Sequence, residues 1–143
     1  MNVAAILKQK GRSIVTASEK TRLLDIARTL AERRIGAILI LGELDRLAGI
    51  LSERDIIRAL AKDGVDAMGR PAADYMTRDV ITCRISDTLE HLAHTMTEGK
   101  FRHLPVMEEG RLTGVISIGD VVKERIAETE METEQLRHYI AAH

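Results

Sequence analysis

Apolar positions in the first half of the chain follow first a helical period and then a strand period. A helix is predicted over residues 21–34, because five apolar side chains fall on one helical face: Leu23, Ile26, Ala27, Leu30 and Ala31. Short strands are predicted over residues 13–16 and 37–41, with a hairpin partner over 47–51. Because a further helix follows over residues 52–62, the pattern predicts a β-α-β-β-α unit.

The second half of the chain repeats this order. Strands are predicted over residues 80–83, 103–107 and 112–116, and helices over 88–98 and from Ser117 onward. Ordered identities link the copies: Thr16, Leu23, Ala27, Thr29 and Glu32 recur as Thr82, Leu89, Ala93, Thr95 and Glu98, and Leu47, Gly49, Ser52 and Asp55 recur as Leu112, Gly114, Ser117 and Asp120. The chain is therefore an internal duplication.

The duplication predicts a mixed α/β (α+β) fold of two β-α-β-β-α repeats. Its predicted segments are a first repeat with an N-terminal helix over residues 1–62, a connector over 63–79, a second repeat over 80–127 and a C-terminal helical extension over 128–143. The connector holds Gly64, Gly69 and Pro71 and a short helical turn around Tyr75 and Met76. Since one copy cannot cover both faces of its sheet, we expect the copies to pack about a pseudo-twofold axis.

The last helix is predicted to continue well beyond Asp120. Its apolar and threonine positions recur at alternating spacings of four and three residues: Val122, Ile126, Thr129, Thr133, Leu136 and Ile140. Two interpretations stand equally at this point. The helix caps its own domain, or it contacts a second chain.

Composition and charge narrow the classes of function. Of the 143 residues, 45% are hydrophobic and 30% are charged, which is typical of a folded globular protein. Lys and Arg number 21 against 22 Asp and Glu, and only Tyr75, Phe101 and Tyr139 are aromatic. This balance argues against a nucleic-acid-binding surface, which would be basic and rich in stacking rings. No apolar run approaches the roughly 18 residues of a membrane span, so no membrane partner is expected.

The N-terminus and the single cysteine bear on location. The first ten residues place an apolar patch before two lysines, the reverse of a signal peptide. Cys83 stands alone, so no internal disulfide can form, and this fits a reducing cytosol. We expect a cytoplasmic protein in which Cys83 is a small buried hydrophobic residue rather than a reactive thiol.

The most informative recurrence is Gly-x-x-Ser-x-x-Asp at each junction between the last strand and the last helix of a copy. It reads Gly49, Ser52 and Asp55 first, and Gly114, Ser117 and Asp120 second. Ser-x-x-Asp is typical of a capping box, which explains one copy without any ligand. A helix N-terminus also suits a phosphate, and a carboxylate beside it can accept two hydrogen bonds from a ribose diol. Both interpretations can hold together.

With these motifs the chain resembles a tandem pair of CBS domains, a Bateman module. The runs that carry the resemblance are Gly-Ile-Leu-Ser-Glu-Arg-Asp, Gly-Val-Ile-Ser-Ile-Gly-Asp and Phe-Arg-His-Leu-Pro-Val, within a likeness that covers about residues 3–127. The resemblance implies two clefts that bind adenine nucleotides such as AMP, ADP, ATP, NAD(H) or S-adenosylmethionine. It also implies that two modules pair into a disc-shaped homodimer.

Carried over residue by residue, the resemblance implies the residues of each cleft. One cleft would consist of Ser13, Ile14, Ile35, Gly36 and Ala37 together with Ser117 and Asp120. The other would consist of Thr77, Asp79, Val80, Phe101, Arg102, His103 and Pro105 together with Ser52, Arg54 and Asp55. In such sites backbone groups beside the first strand read the adenine edge, and the two aspartates take the ribose hydroxyls.

The two implied clefts differ in charge. Arg54 corresponds to Gly119, and the pair Arg102 and His103 corresponds to Gly36 and Ala37. The cleft of Ser52 and Asp55 therefore concentrates donors suited to phosphate, and its counterpart is neutral. We expect anionic nucleotides to prefer the cationic cleft. The alternative is that Arg102 and His103 belong to a solvated strand edge.

Two weaker signals carry no site. The run from Gly64 to Pro71 superficially resembles a phosphate-binding loop, but it has Arg70 in place of lysine and proline in place of the metal-binding hydroxyl residue. His91, His94 and Glu98 share one helical face and could hold a metal, although a solvated face is favoured. We therefore expect no metal.

The sequence favours a regulatory module that senses a ligand and has no chemistry of its own. The expected ligand is AMP, with NAD(H) or ATP as alternatives, and the output is expected in trans through an unidentified effector, since no effector domain is appended. Two other classes were weighed. One is a structural or interaction module with unoccupied clefts; the other is an enzyme such as a nucleotide hydrolase, which no motif recommends.

Overall fold

The computed structural model describes residues 1–142, and the chain divides into two compact units. The first-repeat unit comprises Ser13–Ile81 with Glu109–Leu112. The second-repeat unit comprises Met1–Arg12, Thr82–Glu108 and the chain from Thr113. The helices are α1 (Val3–Lys10), α2 (Leu23–Arg33), α3 (Glu53–Asp63), α4 (Leu89–Gly99) and α5 (Ile118–Ala142), and the strands are β1 (Thr16–Ser18), β2 (Ala37–Leu41), β3 (Leu47–Ser52), β4 (His103–Glu108) and β5 (Arg111–Ser117). The predicted mixed α+β fold of two repeats is confirmed.

The first-repeat unit is built on a three-stranded sheet in the order β1-β2-β3. β1 pairs parallel to β2, and β2 pairs antiparallel to β3. Buried aliphatic side chains from β2, β3, α2 and α3 form its core, and they include Leu23, Ile26, Ile38, Ile40 and Leu51. The continuous apolar run of β2 is thereby explained, because three of its five residues are buried.

The second-repeat unit has a two-stranded sheet of β4 and β5. Cys83 adds a single parallel bridge to Val106, through hydrogen bonds from the Cys83 amide to the Pro105 carbonyl and from the Met107 amide to the Cys83 carbonyl. This bridge repeats the register of Ala17 with Ile40 in the first repeat. The core again consists of aliphatic side chains, drawn from α1, α4, α5 and the strands: Val3, Ile6, Leu7, Leu89, Leu92, Met96, Leu104, Val106, Ile116 and Val121.

Each repeat is completed by the segment that precedes the other repeat along the chain. α1 precedes the first repeat, yet its side chains lie in the core of the second-repeat unit and its first amides bond to the carbonyls of Ile85 and Asp87. Residues 72–77 precede the second repeat, yet Ala72 and Met76 lie in the core of the first-repeat unit. The predicted first segment of residues 1–62 thus groups α1 differently from the structure.

Several predicted elements differ in position from the observed ones. The predicted strand over residues 13–16 is wrong in register: β1 is Thr16–Ser18, because its pairing with β2 runs from Leu39 to Leu41. The predicted strand over 80–83 does not form, since only Cys83 reaches β4 and the Val80 amide bonds back to the Arg78 carbonyl in a turn. The helical turn of the connector covers Ala72–Asp74 and ends at Tyr75.

The C-terminal helix continues as predicted. α5 runs without interruption from Ile118 to Ala142 and buries only Val121 and Glu124. Along residues 1–142, no helix combines the length and the apolar composition that crossing a membrane requires.

Candidate functional site

The N-terminus of α3 holds Ser52 and Asp55 in a reciprocal pair. The Ser52 hydroxyl accepts the Asp55 amide at 3.3 Å, and Asp55 Oδ2 accepts the Ser52 amide at 2.9 Å and the Ser52 hydroxyl at 3.1 Å. The predicted capping box is confirmed. These three hydrogen bonds fix the carboxylate at the end of β3, with its Oδ1 atom 3.7 Å from the guanidinium of Arg58.

The N-terminus of α5 repeats this arrangement in the second-repeat unit. Asp120 Oδ2 accepts the Ser117 amide at 2.8 Å, and the Ser117 hydroxyl accepts the Asp120 amide at 3.1 Å. A lysine is added here: Lys10 Nζ donates to Asp120 Oδ2 at 2.6 Å and to the Val115 carbonyl at 2.8 Å. The two junctions therefore share one backbone design but differ in the cation beside the acid.

The environment of Asp120 changes its acidity. Burial alone would raise the pKa of this carboxyl, but the hydrogen bond and charge of Lys10 and the bonds from Ser117 outweigh burial, so the pKa lies below its usual value. Asp120 is accordingly an anion across the physiological range. In this state it can only accept hydrogen bonds, as a ribose diol would require.

Lys10 is a member of the candidate site that sequence reasoning missed. It lies 110 positions before Asp120 along the chain, and no local pattern connects a lysine at the end of α1 with a carboxylate at the start of α5. The expectation of a neutral counterpart to the cationic cleft did not include this lysine. Arg54, by contrast, is exposed on the first turn of α3.

The recurring glycine of the motif has a packing cause. A Cβ atom on Gly49 would lie 2.7 Å from the Thr77 carbonyl oxygen and 2.8 Å from Met76 Sδ. A Cβ atom on Gly114 would lie 2.8 Å from Leu7 Cδ2. Each glycine thus leaves room for the segment that completes its unit. The capping interpretation alone did not explain why glycine recurs at this position.

The residues just before β2 and β4 accept hydrogen bonds from the same helix ends. The Glu53 amide at the start of α3 donates to the Gly36 carbonyl at 3.0 Å, and the Ile118 amide at the start of α5 donates to the Arg102 carbonyl at 2.8 Å. Gly36 and Arg102 are equivalent residues of the two copies. Each unit therefore gathers the start of its second strand, a serine and an aspartate at one helix N-terminus.

Three of the other predicted residues, Thr77, Phe101 and Pro105, have a described place in the strands or the core of their units. Thr77 forms a two-way backbone bridge with Ile50, in the strand that ends at Ser52. Pro105 is buried in β4 and Phe101 is half-buried against the core of its unit. The rest are exposed or half-buried: Ser13, Ile14, Ile35, Ala37, Asp79, Val80 and His103. The groupings that join residues of both units stay predictions.

Each unit has an apolar groove between two of its helices, and the lining residues include neither the serine nor the aspartate of the motif. In the first-repeat unit it is about 520 Å³ and is lined by α2 and α3 residues such as Leu30, Ile56 and Ile57. In the second-repeat unit it is about 300 Å³ and is lined by α4 and α5 residues such as Met96 and Val122. These grooves sit at equivalent places of the two copies.

Residues weighed for other chemistry take ordinary roles. His94 and Glu98 form an exposed ion pair at 3.4 Å, and within residues 1–142 no group of three or more His, Cys, Asp or Glu side chains could hold a metal ion. Cys83 is buried, and burial raises the pKa of its thiol to about 12. The prediction of a small buried side chain is confirmed.

Comparison with known proteins decides the family. The family model described as "CBS domain" matches residues 10–62 and 72–127. The chain belongs to the CBS domain family. It holds two CBS domains in tandem, as the duplicated motifs indicate.

Solved CBS structures are similar along most of the chain. A CBS-domain protein from Agrobacterium tumefaciens is 40% identical, with a TM-score of 0.84 over 87% of this chain and 92% of that one. A CBS domain protein from Pyrobaculum aerophilum, solved with AMP, is 29% identical, with a TM-score of 0.79 over 93% and 99%. A CBS domain pair solved with 5′-methylthioadenosine and S-adenosyl-L-methionine is 25% identical, with a TM-score of 0.79 over 90% and 98%.

Curated relatives differ in how much of their length this CBS pair spans. It covers 71% of the mitochondrial CBS domain-containing protein CBSX3 of Arabidopsis thaliana, at 28% identity over 96% of this chain. It covers only 39% of an uncharacterized protein of Methanocaldococcus jannaschii, at 35% identity over 78% of this chain. The relatives therefore support the CBS modules themselves rather than any whole-protein activity.

Proposed function

We propose that this CBS pair is a regulatory module that binds an adenine nucleotide, with AMP as the first candidate and NAD(H) or ATP as alternatives. The observation that carries the proposal is the duplicated serine and aspartate, each held at a helix N-terminus by hydrogen bonds of 2.8–3.3 Å. Relatives of the same fold, solved with AMP and with S-adenosyl-L-methionine, support the ligand class.

The geometry suits a ribose with an attached phosphate. At both junctions the backbone bond to the aspartate uses Oδ2. A ribose hydroxyl would meet Oδ1 of an acid that is already oriented, so little ordering would oppose binding. The helix dipole favours an anion beside it.

The two junctions are proposed to differ in ligand preference. At α3 the exposed Arg54 can turn toward a phosphate, because within residues 1–142 its guanidinium forms no hydrogen bond or ion pair. At α5 Lys10 is already bound to Asp120 and the Val115 carbonyl, so it neutralises the acid before any ligand arrives. An anionic nucleotide should therefore bind first through Ser52, Arg54 and Asp55.

The output is proposed to be regulation in trans of an unidentified protein effector, by a homodimer of CBS pairs in the cytoplasm. The module carries out no reaction of its own in this proposal. For ligand binding to act as a switch, two arrangements of the protein must differ in their affinity for the nucleotide, because equal affinity would shift no population.

A thermal-shift panel with AMP, ATP, NADH and S-adenosylmethionine tests the proposal. At about 100 times Kd a bound ligand adds about 2.7 kcal/mol to the free energy of unfolding. For a chain of this size that corresponds to an increase of about 5–10 °C in Tm. A Tm that stays constant with every nucleotide up to millimolar concentration would contradict the proposal and favour a structural module with unoccupied clefts.

A further inference from the structure

α5 carries a stripe of side chains that its own unit leaves uncovered. Val121 and Glu124 face the core of the second-repeat unit. The neighbouring stripe, called here the seam, consists of Val122, Ile126, Thr129, Thr133, Leu136 and Ile140. Its apolar members are 51%, 53%, 59% and 65% exposed in chain order, and both threonines are exposed.

The second half of α5 lacks the packing that a helix of its length requires. From Ala127 to Ala142 every residue except Glu128 is exposed. A segment of about 15 residues is marginal as an isolated helix in water, because most helical stability comes from packing of an apolar face. Glutamates four residues apart, such as Glu128 with Glu132 and Glu130 with Glu134, repel within the helix. A stable helix over this segment therefore needs a packing partner.

The threonines do not interrupt the seam. The Thr129 hydroxyl donates to the Arg125 carbonyl at 3.0 Å, and the Thr133 hydroxyl donates to the Thr129 carbonyl at 2.9 Å. With both hydroxyls bonded to their own helix, each threonine can present its methyl group to a facing helix. The seam then occupies alternating a and d positions, with Ile126, Thr133 and Ile140 at a and Val122, Thr129 and Leu136 at d, as in a seam between paired helices.

The charges beside the seam distinguish a parallel pair from an antiparallel one. In a parallel, in-register pair the flanking positions bring Arg125 to the partner's Glu130, and Glu132 to the partner's Arg137. With the symmetric copies this makes four attractive pairs. An antiparallel pair with the same seam would place Lys123 against the partner's Arg137, and Glu130 and Glu132 each against its own copy. All three of those contacts join like charges. Within residues 1–142 these five side chains form no ion pair.

We propose that α5 pairs with α5 of a second copy of this chain, parallel and in register, through the seam and its two flanking charge pairs. The pairing rests on the proposed homodimer and does not depend on nucleotide binding. A homodimer that forms through another face would leave the proposed function intact and would overturn this pairing.

Sedimentation equilibrium of matched variants tests the seam. We expect Leu136→Asp to raise the dimer dissociation constant by about a hundredfold or more, since both copies lose an apolar contact and bury a charge. Met131→Asp makes the same kind of change on the opposite, exposed side of the helix and should leave the constant within about threefold of wild type. Equal constants for the two variants, or a wild-type monomer at every concentration, would overturn the pairing. Circular dichroism shows that each variant is folded.

Charge exchange tests the orientation. Glu130→Arg should weaken the dimer about tenfold, because it faces the partner's Arg125, and the double variant Arg125→Glu with Glu130→Arg should restore it. Glu134→Arg changes the net charge equally at a position away from the flanks and serves as the control. Without restoration by the double variant, the proposed charge pairs are wrong.

A cysteine at position 136 gives an independent readout of direction. In the parallel pair Leu136→Cys stands beside the partner's Cys, so mild oxidation should join most of the dimer covalently. In an antiparallel pair the two sulfurs would be about 15 Å apart along the axis and could not bond. Cys83 is buried and should not interfere. A dimer that yields no cross-link would overturn the parallel arrangement.

Discussion

Replacing Gly49 by alanine should destabilise the first-repeat unit much more than a single methyl group normally does. The new Cβ would lie 2.7 Å from the Thr77 carbonyl oxygen, well inside an ordinary contact between carbon and oxygen. The backbone of Thr77 cannot move freely, because it both accepts the Ile50 amide at 3.0 Å and donates to the Ile50 carbonyl at 2.9 Å. Relief of the clash therefore strains two backbone hydrogen bonds as well as the buried Met76.

The magnitude follows from these contacts. Overpacking of a buried site costs about 1–3 kcal/mol. Weakening two backbone bonds adds about 1 kcal/mol, so we expect a loss of about 2–4 kcal/mol in the free energy of unfolding. Gly114→Ala meets the end of the Leu7 side chain instead of backbone, and we expect a smaller loss of about 1–2 kcal/mol.

Gly119→Ala is the matched control. Its Cβ would meet nothing closer than 3.6 Å and would stand in the first turn of α5, so we expect a gain of up to about 1 kcal/mol. Urea denaturation followed by circular dichroism measures all three variants. If Gly49→Ala and Gly119→Ala agree within about 0.5 kcal/mol, the packing explanation of the recurring glycine is refuted.

Three further outcomes are expected. Lys10→Met should raise the pKa of the Asp120 carboxyl, which carbon NMR can follow. Because the folded pKa is depressed, the stability from this contact is complete above about pH 4 and is lost as pH falls through the folded pKa. The free energies of unfolding of wild type and variant should therefore converge in acid, and a difference that stays constant with pH would contradict the linkage. Cys83 should remain unlabelled by a thiol reagent at pH 8 until the protein unfolds, whereas rapid labelling of the native protein would contradict its burial. Arg54→Ala should weaken AMP binding about tenfold in calorimetry and Gly119→Ala should not; equal losses would count against the proposed difference between the two junctions.

The sequence pattern predicted those elements whose bounds depend on residues close together along the chain. The run from Ala37 to Leu41 forms β2 with the predicted bounds, and Ser52 caps α3 as its spacing to Asp55 indicates. The pattern did not predict strand bounds that depend on pairing with a strand distant along the chain. β1 shifts to Thr16–Ser18 because β2 determines the pairing, and Cys83 is the one residue before α4 that pairs with β4.

The candidate site shows the same division. The duplicated serine and aspartate are visible in the sequence, since their spacing is local. Lys10 is not, because it reaches Asp120 only after α1 packs into the unit of the second repeat. For the same reason the close approach to Gly49 and Gly114 has no signal in the sequence beyond the recurrence of glycine itself.

Calorimetric titration of AMP tests the central proposal most directly, with the wild type compared with the double variant Asp55→Asn with Asp120→Asn. Asparagine retains an oxygen that can accept the serine amide, so the helix caps survive, but the charged acceptor for a ribose is lost. Loss of a charged hydrogen-bond acceptor predicts an increase in Kd of about ten- to a hundredfold at each site. Thr88→Ala, which removes the cap of α4 only, should bind AMP like the wild type. Equal affinity and stoichiometry in the double variant and the wild type would contradict the proposal that these two carboxylates hold the nucleotide.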